Sequence, residues 1–436
     1  MRGFRKKSIW IAAFAGVALL VAYLAFVSGR TQAVRLANGT ELSFVAMTRG
    51  PTNACFPGGI LDKLKYRLLP AKGIGIGRFK IAPVAPLVDV SHYVEDGRLA
   101  FPNKAVVWVR HRGGTNAAPL PVVEDKMFFD LRATIADEKG EEWEMRPTEI
   151  GMRPSSQNIL DSISPWSFPA FPRRGKSLTF RIYARNSSDQ WETLAEFKMR
   201  NPTPGPYPLW KPMALPVTRT NGDVEVSLNE LTSGTKTIHW MPKDQRPFTM
   251  ARFRVKHNGQ PTEAWVPEWI DATDATGNEA DFPIIDSGFT NGLAFYDAQG
   301  TSLSPSEVWR LRMKLRQEKD LVPNQLWTSP GLAARGGGLL PTNLTTNFQT
   351  YSMRLECFSG RNTIRVKLNP RPQGCRLRLV EIVDDRDAKL EHSGGDFGDS
   401  QFEAQCVIPP IAESIKVTIG LPEIRVFEFL ARPVRQ

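Results

Sequence analysis

From about residue 34 onward, apolar and polar residues alternate over short runs. Examples are VVWVR ending at Arg110, SLTFRIYAR at Ser177–Arg185, VWRLRMKLR at Val308–Arg316 and SIKVTI at Ser414–Ile419. Period-two alternation places one set of side chains on each face of a strand, so such runs predict half-buried strands. Gly, Pro and Asn punctuate them and long helical periodicity is almost absent, which predicts all-β architecture.

The start of the chain breaks this pattern. Ile9 to Val27 is a continuous apolar run in which Tyr23 is the most polar side chain. As a helix it is roughly 28 Å long, close to the hydrocarbon thickness of a bilayer. Arg2, Arg5, Lys6 and Lys7 precede it, and positive charge stays on the cytoplasmic side. The expectation is a single-pass, cytoplasm-in transmembrane anchor within residues 1–30 at the inner membrane, with the bulk exported. Ser28, Gly29 and Ala33 leave secretion after signal cleavage as the alternative.

The remainder repeats itself. Asn38–Gly50 (NGTELSFVAMTRG), Asn221–Gly234 (NGDVEVSLNELTSG) and Ser352–Gly360 (SMRLECFSG) share a strand that closes on a Thr- or Ser-containing turn. VRHRG (109–113), VKHNG (255–259) and VKLNP (366–370) follow in the same order. Next come LRATIADEKG (131–140), WIDATDATG (269–277) and LRLVEIVDDRD (377–387). Each of these reads as a strand running into a turn where Asp bonds its own backbone. EFKMRNP (196–202) and EFLARP (428–433) look like closing strands. The order predicts three tandem β-sandwich modules of immunoglobulin-like type, at 34–204, 217–330 and 345–436. The first carries an insertion at about 51–101, within which Ile60 to Leu69 reads as one short helix. Residues 205–216 read as a stiff Pro-rich linker and 331–344, with Gly336, Gly337 and Gly338, as a flexible one.

Composition narrows the chemistry. Net charge is +11, of which four belong to the start, and the other basic residues are scattered. With no basic stripe, nucleic acid is not an expected partner. Four cysteines, Cys55, Cys357, Cys375 and Cys406, permit disulfides in an exported chain with three connectivities; one bridge among the last three and four free buried thiols are both open.

Candidate sites are few. His111 and His257 occupy equivalent turns, but Leu368 stands there in the third repeat, which favours a packing position over a base or metal ligand. His92, His239 and His392 are isolated. The acidic turns Asp271, Asp274, Glu279, Asp281 and Asp384, Asp385, Asp387 lack EF-hand spacing and read as ordinary turns rather than calcium sites. Gly73, Gly75 and Gly77 lack the third glycine of a dinucleotide fingerprint, because Arg78 stands there. Trp108 and Trp309 sit in core alternation, whereas Trp166, Trp210, Trp265 and Trp269 lie near prolines and are candidates for stacking on sugars. No motif assigns a catalytic residue, a metal ligand or a cofactor.

The linker NPTPGPYPLW and the closing FEFLARP resemble an uncharacterised group of bacterial membrane-anchored, exported proteins built from β-rich repeats. The resemblance implies architecture and no activity. The resulting expectation is a non-enzymatic, membrane-anchored envelope protein that binds or scaffolds a protein partner through loops at the module ends. Polysaccharide binding is the first alternative, and a hydrolase with paired carboxylates is the second.

Overall fold

The computed structural model describes residues 32–36, 39–49, 105–113, 131–145, 161–168, 170–185, 190–238, 241–282, 284–290, 293–300, 303–396 and 399–435, with short paired strands between 54 and 99. These residues are all-β, with two single-turn 3-10 helices. Three pairs of sheets each enclose an apolar core.

The first unit has strands β1 (Ala33–Arg35), β2 (Glu41–Arg49), β3 (Ala105–Arg112), β4 (Leu131–Ala136), β5 (Glu142–Met145), β6 (Asp161–Phe168), β7 (Ser177–Arg185) and β8 (Trp191–Arg200). One sheet runs β1-β2-β3-β6 and the other β5-β4-β7-β8. Val107, Val109, Ile135, Phe168, Phe180 and Phe197 fill the space between them.

The second unit begins with β9 (Val217–Asn221), β10 (Val224–Ile238), β11 (Met241–His257), β12 (Trp265–Asp274), β13 (Glu279–Asp281), β14 (Ile284–Thr290), β15 (Leu293–Gly300) and β16 (Trp309–Gln317). Its closing strand is not the next one along the chain. The third unit comes first, with β17 (Leu326–Thr328), β18 (Leu332–Arg335), β19 (Gly338–Leu339), β20 (Thr342–Phe348), β21 (Tyr351–Phe358), β22 (Thr363–Asn369), β23 (Arg378–Asp384), β24 (His392–Asp396), β25 (Gln401–Cys406) and β26 (Ser414–Gly420). Only then does β27 (Ile424–Ala431) return to pair antiparallel with β16, Leu311 opposite Phe429 and Met313 opposite Phe427. The second unit's sheets are therefore β9-β10-β11-β15-β14 and β13-β12-β16-β27.

This corrects the expectation of three tandem immunoglobulin-like modules. FEFLARP closes the second unit, as EFKMRNP closes the first, and the third unit is nested inside the second. The physical reason is burial. Phe427 and Phe429 alternate with Val426, Glu428 and Leu430, and their apolar face fits the core that contains Phe253, Trp309 and Leu311. In the third unit the place beside β26 is filled by β17 and β18 on one side and β23 on the other. The glycine-rich stretch thus starts a sheet. Gly336 and Gly337, at φ +59° and +83°, form the two-residue turn between β18 and β19 that requires left-handed backbone at both positions.

The membrane anchor is also corrected. A lone spanning segment must be a helix, because its backbone has no other hydrogen-bond partner in lipid. Among the described residues no helix is long and apolar enough to cross a membrane. Ile9–Val27 lies outside the described residues, as does the expected helix at Ile60–Leu69. The single-pass topology, the inner-membrane location and the membrane as partner therefore have no support.

The Pro-rich segment is extended and tied down. Arg174 donates to the carbonyls of Tyr207 (3.0 Å) and Pro208 (2.9 Å) while pairing with Glu307 at 2.6 Å. Further along, Met213 N–H donates to Leu430 O of β27 at 2.8 Å. The first two units also share a buried joint. Asn278 accepts from Phe171 N–H (3.2 Å) and donates to Phe171 O (3.0 Å), and Arg173 donates to Thr276 O at 2.7 Å. Trp143 of the first unit packs against Trp309 of the second, ring centroids 6.2 Å apart. Glu268 pairs with Arg376, and Arg378 with Glu318 at 2.5 Å, which ties the third unit to the second.

Candidate interaction surface

The residues singled out from sequence are mostly structural. His111 is buried, and neither ring nitrogen has a hydrogen-bond partner among the described residues. Burial pushes its pKa down to about 4, so it is neutral at pH 7. Its counterpart Leu368 is buried in the third core. His257 is only partly buried and meets Asp223 at 2.6 Å. Asp223 also accepts from Arg425, and these two bonds, Arg425 first, hold its pKa down to about 2. The cluster pins the β9–β10 turn to β11 and β27. His92 and His239 lie outside the described residues.

The three acidic turns share one geometry. Asp137 Oδ1 accepts from the N–H groups of Lys139 and Glu141, Asp274 Oδ1 from Thr276 and Asn278, and Asp384 Oδ1 from Arg386 and Ala388, all at 2.8–3.0 Å. Asp274 and Asp384 are buried, so these carboxylates are engaged by backbone. Among the described residues no group of carboxylates, cysteines and histidines could hold a metal ion.

Of the two cysteine readings the structure takes the second for the last three: Cys357, Cys375 and Cys406 are free thiols. Cys357 on β21 and Cys406 on β25 are separated by β22, roughly 9–10 Å of sheet, and a disulfide needs Cα atoms within about 7 Å. Burial raises both thiols to about 11, which makes them poor nucleophiles. Cys55 lies in a short strand whose side chains are not described.

The sugar-stacking reading is corrected as well. Trp265 is 2% exposed, and the Arg425 guanidinium lies 4.6 Å from the centre of its ring. Trp166 is buried in the first core, and Arg310 covers Trp210 at 4.7 Å. A ring already covered by protein offers no face to a sugar. The Trp269 side chain is outside the described residues. Trp108 and Trp309 are core, with indole N–H groups bonded to Thr48 Oγ1 and Ser304 O.

What the sequence reading missed is the far end of the third unit. One end of this unit faces the second, through Arg376 to Glu268 and Arg378 to Glu318. At the opposite end the β18–β19 turn, the turn after β21 and the loop after β25 meet around Asn362, which sits at φ +46°. Its Nδ2 donates to Gly337 O (2.9 Å), its Oδ1 accepts from Leu339 N–H (3.0 Å), and its carbonyl accepts from Cys406 N–H (3.1 Å). Val407 and Ile411 project from the loop after β25, Phe358 ends β21 and Leu340 follows β19, all at this end of the unit and 41–69% exposed. They are half of the eight large apolar side chains so exposed among the described residues, and all four belong to this end of the third unit.

No family model matches the chain, and no curated protein does. The resemblance to exported, membrane-anchored repeat proteins is therefore withdrawn. The two stretches that carried it are a clamped connection and a strand of the second sheet pair.

Proposed function

We propose that the chain is a binding protein whose distal loops engage an apolar surface of another protein. The observation that carries this reading is the gathering of Leu340, Phe358, Val407 and Ile411 at one end. Leaving such side chains in water forgoes about 1.5–3 kcal/mol each, and concentrated exposure of this kind marks interaction sites. The platform is firm, because Asn362 bonds two of the three loop segments to its own. The joints between units hold this end at a fixed place on the molecule, as a presented surface requires.

The test is site-specific photocrosslinking in cells. A photoreactive residue is placed at Val407 or Ile411 and, as a control, at Leu209, which is 85% exposed in the Pro-rich connection. Discrete adducts at 407 and 411, absent at 209, support the reading. Equal adduct formation at all three, or none, refutes it.

A further inference from the structure

Among the described residues strand β20 is the outer strand of its sheet, paired on one side only, with β21. Its sequence is TNLTTNF, seven residues with neither charge nor proline. Among the described residues every other sheet edge carries a charged residue or a proline, or is at most three residues long. β8, for example, carries Glu192, Glu196, Lys198 and Arg200; β6 carries Pro165; β14 carries Asp286 beside a register shift. Charges, prolines and irregularities are the usual means of stopping one edge from pairing with another. β20 has none of them, and its solvent-side residues Asn343, Thr345 and Asn347 are exposed.

We infer that the outer edge of β20 pairs antiparallel with β20 of a second copy of this chain, joining two five-stranded sheets into one. The strand is complementary to itself. A two-fold axis through Thr345 sets Thr345 against Thr345, Asn343 against Asn347 and Leu344 against Thr346. The first two pairs set solvent-side residues against solvent-side residues and the third sets core-side against core-side, because directly opposed residues share a face. Thr–Thr and Asn–Asn pairs hydrogen-bond across strands. Since a two-fold axis brings the central residue against itself, any charge there would repel its own copy; Thr345 has none. The outward neighbours do not interfere, because Arg354 is neutralised by Glu356 at 2.6 Å within each copy. Antiparallel pairing sends the two apolar distal ends in opposite directions, so the association is independent of what those ends bind.

The experiment is sedimentation velocity of the full chain over a range of concentrations, with two variants. Thr345→Lys places a charge against itself on an exposed side chain that makes no core contact. Thr345→Cys places two thiols directly opposite across the axis, where Cβ atoms lie about 4.5–5.5 Å apart. The expected result is a concentration-dependent dimer for the wild type, at least a tenfold weaker dimer for Thr345→Lys with unchanged circular dichroism, and a covalent dimer for Thr345→Cys under mild oxidation. A wild-type chain that stays monomeric throughout, or a Thr345→Lys dimer as tight as wild type, overturns the inference. Either outcome leaves the photocrosslinking result at Val407 and Ile411 to be judged separately.

Discussion

His111 makes acid weaken the first unit, by an amount that follows from its surroundings. The unfolded imidazole takes up its proton as pH falls through about 6.5, and the folded one does so only near about 4. Between those values the unfolded chain binds more protons, so stability is full above pH 6.5 and falls as pH drops towards 4. At about 1.4 kcal/mol per pKa unit the whole loss is about 3 kcal/mol, and about 2 kcal/mol of it is gone by pH 5. His111→Leu installs the side chain found at the equivalent position 368. It abolishes that loss and also removes two buried nitrogens that lack partners, a gain of about 1–3 kcal/mol at pH 7. The assay is hydrogen exchange of the peptide spanning 105–112, which reads the opening free energy of β3 at pH 7 and pH 5. All other titrating groups are common to both proteins and cancel in the comparison. If wild type and variant lose the same free energy between the two pH values, His111 is not the cause and the account of its burial is wrong.

Three further outcomes are expected. A fragment of residues 321–422 folds by itself with a β-type circular dichroism spectrum, whereas 345–436 does not, because it lacks Leu332 and Leu339 of its core and carries the unpaired β27. Asn278→Ala leaves the buried N–H and carbonyl of Phe171 without partners and costs about 2–4 kcal/mol, read by urea unfolding of the full chain. Asp387 holds φ +60° where the other two acidic turns have Gly140 and Gly277. Asp387→Gly therefore stabilises the third unit by about 0.5–1 kcal/mol, seen as a higher urea midpoint for that unit.

Much of the local structure was legible because it is written locally. Alternation in VWRLRMKLR fixes which face of β16 is inside, and the Asp of each acidic turn bonds backbone two and four residues on. The matched order of strands was also legible, including the likeness of EFKMRNP to FEFLARP. Which sheet FEFLARP joins was not, because alternation states that a strand has an apolar face and not whose core receives it. The same holds for Trp265, whose cover comes from Arg425, 160 residues later in the chain. The distal surface left no signal for a similar reason. Leu340, Phe358, Val407 and Ile411 are ordinary apolar residues in their runs, and only the fold leaves them outside and together. The free cysteines follow from register, which places β22 between two of them.

The return of β27 has a consequence in time. While the chain is being made, β16 emerges long before its partner, and the whole third unit is synthesised in between. At translation speeds of about 5–20 residues per second, the roughly hundred intervening residues take on the order of 5–20 s. Throughout that interval Trp309, Leu311 and Met313 have no β27 to cover them, and the open backbone edge of β16 stands ready to pair with any strand that reaches it. Pairing within the third unit of Leu326 with Gly420 brings its two ends side by side. The newly folded insert thereby becomes the short tether that delivers β27 to the edge awaiting it.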